Sequence, residues 1–253
     1  MINFGSGKLV AVPTHLADGS VIAVPTPVVL ASMQDVSVDL SVEIKELYGS
    51  KRYPIAIGQG KGKIEVKAKY AEIDGGILGS LFFGKAATVG IKAAVLDAAA
   101  VIPANPGPYT LTIDPPGTGT FVADLGVFNA TTGAQLMRVE SAPATGQYSV
   151  NVGTGVYTFA AADEGDAILI SHEYSAAAGG QIWTITNETM GYTPSFACLL
   201  QNGYDGKNLV LKLNRAVSGK LSLPMKSDDF TVNDFEATAF ADAAGNVGYI
   251  CLF

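Results

Sequence analysis

The sequence predicts a mainly β fold: a sandwich or barrel with one flanking α-helix and a small inserted all-β domain. Three observations carry that expectation. Between Gln34 and Tyr70, Val36, Val38, Leu40, Val42 and Ile44, and then Ile64, Val66, Ala68 and Tyr70, occupy even positions while the odd ones are mostly polar. A period of two puts each set on its own face of a strand. The 253 residues include 29 glycines and 12 prolines, with 48% hydrophobic and 15% charged residues, the composition of a compact, turn-rich protein rather than a disordered one. Beyond residue 104, short extended runs recur between Gly, Pro, Asn and Asp turns, the rhythm of antiparallel sheets.

The odd positions of the first segment are Asp35, Ser37, Asp39, Ser41, Glu43 and Lys45; those of the second are Lys61, Lys63, Glu65, Lys67 and Lys69. Opposite charges across a pair of strands favour antiparallel pairing in one register, and a slip of one residue would turn the aliphatic face to water. Both segments therefore read as long strands with one buried and one polar face. Glu46 to Gly60 reads as an irregular loop, too long for a tight hairpin and too apolar for a solvated connection. Its Leu47, Tyr48, Tyr53, Pro54, Ile55 and Ile57 must pack either back on their own sheet or on a partner surface.

In chain order, residues 1–27 form a Gly/Pro-punctuated arm with extended pieces at Leu9–Val12 and Val21–Val24. The helix follows the strand pair: Asp74 caps it, Ile77, Leu78, Leu81 and Phe82 share a face laid on the sheet, and Gly84 stops it. Gly75, Gly76 and Gly79 weaken it by up to about 1 kcal/mol each, so packing must hold it. Lys92 to Pro108 reads as an alanine-rich passage into a proline-rich linker. Short strands are then expected at 109–113, 121–128, 135–139, 147–152, 156–159 and 167–174, closed by the SAAAGG run at 175–180. These place an inserted β-sandwich-like domain at 104–180 within a host domain of 1–103 and 181–253. Host strands resume at 181–186, 195–200, 208–214, 220–223, 230–240 and 247–253.

Charge is uneven along the chain. Residues 1–92 carry ten Lys/Arg against eight Asp/Glu, residues 93–180 one against eight, and residues 181–253 five against seven. No cluster of surplus Lys/Arg suits nucleic acid, because the one basic row faces an acidic one. The first residues lack the basic region and apolar run of a signal peptide, and no run reaches the roughly 18 apolar residues of a membrane span, so assembly in a cytoplasm without membrane contact is expected. Cys198 and Cys251 are expected as small buried hydrophobes rather than a disulfide.

Motifs for chemistry are sparse. His15 and His172 have no Cys, Asp or His at ligand spacing. Gly5-Ser6-Gly7-Lys8, Gly58 to Lys63 and Gly206-Lys207 lack the Ser/Thr, the third glycine or the following helix that a phosphate loop requires, and read as turns. Asp163, Glu164 and Asp166 could offer oxygens to calcium, but without regular ligand spacing they read as a solvated turn. The expectation is a protein without catalytic residues, metal or cofactor. A divergent hydrolase is the minor rival.

Lys45–Ala56 (KELYGSKRYPIA), Gly60–Ile73 (GKGKIEVKAKYAEI), Leu81–Gly84 (LFFG) and Lys226–Gly248 (KSDDFTVNDFEATAFADAAGNVG) together resemble the tail tube, or major tail, proteins of tailed bacteriophages. The likeness spans roughly residues 1–95 and 185–253. It implies a tail-tube-like β-sandwich core with one flanking helix, self-assembly into stacked hexameric rings, and a conduit through which DNA passes without specific binding. It further implies a virion-tail location and contacts with terminator, tape measure and tip proteins. Leu47, Tyr48, Tyr53, Pro54, Ile55 and Ile57 become contacts between subunits or rings. Asp35, Asp39 and Glu43 become lumen candidates, since an acidic wall lets DNA slide, although Lys61, Lys63, Lys67 and Lys69 would neutralise that wall. The alternative is a capsid-decoration or host-attachment module, against which stands the lack of Trp in the insert for stacking on sugars.

Overall fold

The computed structural model describes residues 5–30, 32–72 and 75–253. In chain order the first strands are β1 (Lys8–His15), β2 (Val28–Leu30), β3 (Met33–Tyr48), β4 (Pro54–Tyr70), β5 (Thr88–Val101), β6 (Thr110–Thr112), β7 (Thr120–Asn129) and β8 (Ala134–Gln135). There follow β9 (Met137–Arg138), β10 (Gln147–Asn151), β11 (Val156–Phe159), β12 (Ala167–Ile182), β13 (Ser195–Tyr204), β14 (Lys207–Ser222), β15 (Asn233–Ala239) and β16 (Gly248–Leu252). The protein is mainly β, as expected. Among the described residues no helix is long and apolar enough to cross a membrane.

The chain divides into two compact units, one formed by residues up to Ala86 with Trp183–Phe253, the other by Ala87–Ile182. The expected boundaries at 103/104 and 180/181 therefore move outward. The alanine-rich passage is strand β5, with the proline-rich run after it outside any strand, and the SAAAGG run continues β12; the two strands pair with each other through Ala93↔Tyr174, Lys92↔Ser175 and Ile91↔Ala176. Alanine has low strand propensity, which hid both.

In the first unit the strands lie in the order β2-β1-β13-β14-β15-β4-β3, with β16 against the first half of β14 and β15 against the second. All pairs are antiparallel. The sheet curls on itself, since Ser6, just before β1, donates its hydroxyl hydrogen to the Met33 carbonyl at the start of β3 (2.8 Å). Between the facing walls lies an apolar cavity of about 270 Å³ lined by Val36, Val38, Leu40, Leu200, Leu211 and Ile250. The core holds Leu9, Val66, Tyr70, Phe196, Leu213 and Phe235. Asp205 and Gly206, both at positive φ, join β13 to β14 in the two-residue turn that matches strand twist. Strand was also expected at 183–186, where the chain is not extended into a sheet, while β2 was not foreseen.

The helix is wider than expected, a π-helical segment Ile77–Phe83 ended by Gly84 in the left-handed region. The expected cap Asp74 lies outside the described residues. Ile77 and Leu81 enter the core, whereas Leu78 and Phe82 are only half-buried. The glycines are a packing device rather than a weakness. A Cβ at Gly79 would stand 1.7 Å from Trp183 Nε1, and one at Gly75 2.0 Å from the Trp183 six-membered ring. The indole therefore rests directly on the helix backbone.

The second unit contains two four-stranded sheets, β6-β11-β10-β9 and β5-β12-β7-β8. Ile102, Phe121, Val127, Tyr157, Ile168 and Ile170 are among its core residues. Asp124 is a buried charge of this unit, its side chain 3% exposed. It accepts hydrogen bonds from the hydroxyls of Tyr148 and Tyr157, both at 2.8 Å, and from the Gly126 amide at 3.1 Å, with the Arg138 guanidinium at 3.6 Å. Burial first, and the bond to Asp124 second, push both phenols well above their ordinary range.

Two expectations follow. Gly79→Ala, which propensity alone would make stabilising by about 1 kcal/mol, should instead destabilise by about 1–3 kcal/mol through the clash with Trp183. Urea unfolding followed by fluorescence of Trp183, the sole tryptophan, reads the sign. The Tyr148 and Tyr157 phenols favour the neutral form in the folded state, so their contribution is complete below pH ~10 and is lost as pH rises from there toward the raised folded values. Alkaline unfolding of the second unit should therefore be steeper in the wild type than in Tyr148→Phe/Tyr157→Phe, monitored by tyrosinate absorbance and circular dichroism.

Candidate assembly surface

The functional candidate is the β3–β4 hairpin. Its strands pair from Met33↔Tyr70 to Tyr48↔Pro54, so only Gly49–Tyr53 connects them. The expected irregular loop at 46–60 is corrected: Glu46–Tyr48 and Pro54–Gly60 are strand. The structure also corrects the expectation of a fully buried even face. On its other edge β15 pairs with β4 from Ile64 to Tyr70 only, and β4 from Pro54 to Lys63 pairs with β3 alone. The distal half is a two-stranded arm. At its base Val36 and Val38 pack on the core, but Leu40, Val42 and Ile44 are 60%, 49% and 65% exposed.

A bulge decides which face the apolar residues of β4 take. The register runs Val42↔Gly62 and then Ile44↔Gln59, so Gly60 and Lys61 form an extra step on β4. Residues directly opposite in an antiparallel pair share a face. Gln59, and by alternation Ile57, thus join the face of Leu40, Val42 and Ile44 although their numbers are odd, while a second step between Leu47↔Ala56 and Tyr48↔Pro54 leaves Ile55 as an extra residue near the tip. Without the extra step at Gly60 and Lys61, Gln59 and Ile57 would fall among the lysines. The result is a largely apolar face running from the cavity at the hairpin base toward its tip, interrupted by Gln59 opposite Ile44 and Glu46 opposite Ile57, with Ile55 and Ile57 67% and 65% exposed. Leu47, Tyr48 and Tyr53 are exposed near the tip, and Pro54 is half-buried. The Tyr48 hydroxyl donates to the Glu46 carboxylate on the same strand, which raises that phenol. None of the six expected contact residues folds back into the core.

The opposite face carries Asp35, Asp39 and Glu43, all exposed, among lysines. Asp35 stands opposite Lys69. Asp39 stands opposite Glu65, an unfavourable like-charge pair, relieved diagonally by Lys67 Nζ to Asp39 at 3.4 Å and Lys63 Nζ to Glu65 at 2.5 Å. The Lys63 bond holds the Glu65 carboxyl below its usual range. Asp35, Asp39, Glu43 and Glu65 thus meet Lys45, Lys63, Lys67 and Lys69 on one face, with Lys61 at the bulge beside them, so the face is near charge balance rather than acidic.

Elsewhere the structure reassigns several residues. His15 lies beside Ser195, Nδ1 to Oγ 3.0 Å, a pairing across 180 residues that sequence spacing could not reveal. The Ser195 hydroxyl is also met by Thr14 Oγ1 at 3.1 Å and Arg215 Nη2 at 3.3 Å, and Ser195 is buried, so this cluster ties β1 to β13 and β14. The three acids of the second unit are not one solvated turn. Buried Asp163 accepts from the Gly146 amide, Glu164 from the Asn105 amide and Asp166 from the Asn129 side chain. Among the described residues no group of three or more His, Cys, Asp or Glu is placed to hold a metal. Gly58–Lys63 is strand rather than turn, and Gly7 leads into β1. Cys198 is buried, its thiol pushed up to about 12 by burial, but Cys251 is exposed on β16, against expectation.

Sequence reasoning missed two parts of this surface. Leu40, Val42 and Ile44 look like core residues by alternation, and the only signal otherwise is that β4 is much longer than the strand available to cover it. β16 was foreseen as a strand, but its exposed Tyr249, Ile250 and Leu252 were not. No protein-family model matches this chain, and no curated protein matches it.

Deleting Gly60 should leave the Ile64–Tyr70 pairing and the core intact while turning Ile57 to the lysine face. Methyl nuclear Overhauser contacts between Ile44 and Ile57, present in the wild type, should then vanish with little change in melting temperature.

Proposed function

We propose that this chain is a structural subunit that self-assembles through the β3–β4 arm, in the manner of a phage tail tube protein, and that it has no catalytic role. One observation carries the reading: an extended two-stranded arm presents a largely aliphatic face, with Leu40, Val42, Ile44, Ile55 and Ile57 about half to two-thirds exposed, that its own unit leaves in solvent. A monomer gains nothing from that face and risks aggregation. Fully burying an aliphatic side chain is worth roughly 1.5–3 kcal/mol. For Leu40, Val42, Ile44, Ile55 and Ile57, already partly buried, a partner would add on the order of 5–8 kcal/mol.

That gain is similar to the translational and rotational cost of association, about 4–15 kcal/mol. A single arm contact is therefore marginal, and closure of a ring, in which every subunit both gives and receives an arm, makes the contacts mutually supporting. An arm on one surface meeting a different surface on the next copy is a heterologous contact, the kind that closes into rings or runs on as tubes. The resemblance to tail tube proteins supplies the hexameric ring, the DNA conduit and the other tail proteins as partners. On that reading the nearly charge-balanced face, carrying Asp35, Asp39 and Glu43, lines the lumen and presents DNA with neither a grip nor a strong barrier. The second unit carries two Lys/Arg against eight Asp/Glu, and on this reading its like charges keep neighbouring assemblies apart.

Electron microscopy and sedimentation of the purified protein test this. Rings or tubes are expected for the wild type; monomers alone across concentration would overturn the proposal. Tyr53→Ala/Ile55→Ala should remain a folded monomer, with melting temperature within a few degrees of wild type, and should fail to polymerise. Loss of the monomer fold in that variant would place these residues in the subunit's own core instead.

A further inference from the structure

His172 stands apart from the other polar groups of the second unit. It is 2% exposed, and neither ring nitrogen has a hydrogen-bond partner among the described residues. Its ring stacks on Phe121, centroids 5.9 Å apart and planes within 21°, with the Tyr174 ring at 6.5 Å. An imidazole so placed fits as a neutral aromatic disc. As an imidazolium it would be a buried charge with two unsatisfied donors.

The strand position is as unusual as the side chain. β12 is the central strand of its sheet, and both of its ladders break at His172. Against β5 the register passes from Ile170↔Ala98 to His172↔Val95, leaving Leu96 and Asp97 as an extra step. Against β7 it passes from Ser171↔Gly126 to His172↔Asp124, leaving Leu125 out. The buried imidazole therefore sits at a place where the ladders on both flanks are interrupted.

We infer that His172 is an acid-sensitive device built into the second unit: proton uptake there opens the sheet at the paired bulges while the first unit stays folded. The groups facing it offer the proton no ready partner. From β7, Asp124 is its register neighbour, but that carboxylate is committed to Tyr148 of β10 and Tyr157 of β11, with Arg138 of β9 beside it. From β5, Val95 is apolar and Asp97 is tied to Ser171 through its amide. On β12 itself, Glu173 is exposed and on the neighbouring position, and Tyr174 contributes its ring. Desolvation accordingly lowers the imidazole from its ordinary value near 6.5. A histidine held neutral stabilises the fold fully above the unfolded value, and that stability is lost as pH falls below it toward the lowered folded value.

The test uses the full chain. The wild-type imidazole C2–H resonance of His172, followed by nuclear magnetic resonance, should titrate below pH 6.5. Hydrogen exchange in peptides covering 93–101 and 167–176, corrected for intrinsic rate, should accelerate toward the tenfold per pH unit that uptake of one proton permits. Peptides of β13 and β14 should not change over the same range. His172→Phe, which keeps the stacked ring and removes the titration, should abolish the acid response. His15→Gln, altering the only other histidine, should retain it. An ordinary titration midpoint in the wild type without faster exchange would overturn the inference, as would an acid response surviving in His172→Phe. Should His172→Phe fail to fold, the wild-type titration and exchange decide by themselves.

Discussion

The rest of the first unit depends on how β4 is shared. Residues Ile64–Tyr70 are held on both edges, by β15 and by β3, and they contribute Val66, Ala68 and Tyr70 to the core. Residues Pro54–Lys63 have β3 alone. One strand is thus anchored at one end by packing and free at the other, and the anchored end fixes the register of the whole hairpin. A one-residue slip would turn buried Val66 and Tyr70 to water, which costs several side chains' worth of burial. The register of the arm is therefore determined far from the arm, and the Gly60–Lys61 bulge converts that fixed register into a largely aliphatic face.

This explains which parts of the fold were legible in the sequence. The alternation from Val36 to Ile44 and from Ile64 to Tyr70 was plain because no bulge interrupts the facing at Leu40↔Ile64 and its neighbours. The change of parity between Ile57 and Ile64 is itself the trace of the bulge, yet it looks like the end of a strand. Whether an alternating face is covered is not a local property. Leu40 and Val66 have the same pattern, and only the length of β15 separates an exposed residue from a buried one. The same limit governed the second unit: β5 and the end of β12 are made of alanines that neither favour strands nor signal burial, and each becomes a strand because the other pairs with it. His15 beside Ser195 was invisible for the same reason, since the contact exists only once β1 lies against β13.

The two units handle buried polarity in opposite ways. In the second, Asp124 is surrounded by donors, so a charge that would otherwise be costly in the core becomes the centre of a network joining β7, β9, β10 and β11. His172, its neighbour across the ladder, takes no hydrogen bond from that network among the described residues. The phenols contribute stability that fades only on the alkaline side and the imidazole stability that fades only on the acid side, so the unit is most secure between them.

The arm obeys a different constraint, which separates its two faces by consequence rather than by position. Its charged face is complete in the isolated chain: the like pair Asp39 and Glu65 is answered by Lys67 and Lys63, and exposed pairs of this kind are screened by solvent and contribute little whether or not a neighbour is present. That face gains little from a partner. The aliphatic face has no answer within its own unit, and covering it is worth several kcal/mol. An approaching copy would, under the proposed assembly, be drawn to one face of the arm only, while the charges on the other keep it wet. Under the proposed assembly this asymmetry orients every subunit alike, with the aliphatic face in the contact and the zwitterionic face turned to whatever passes by.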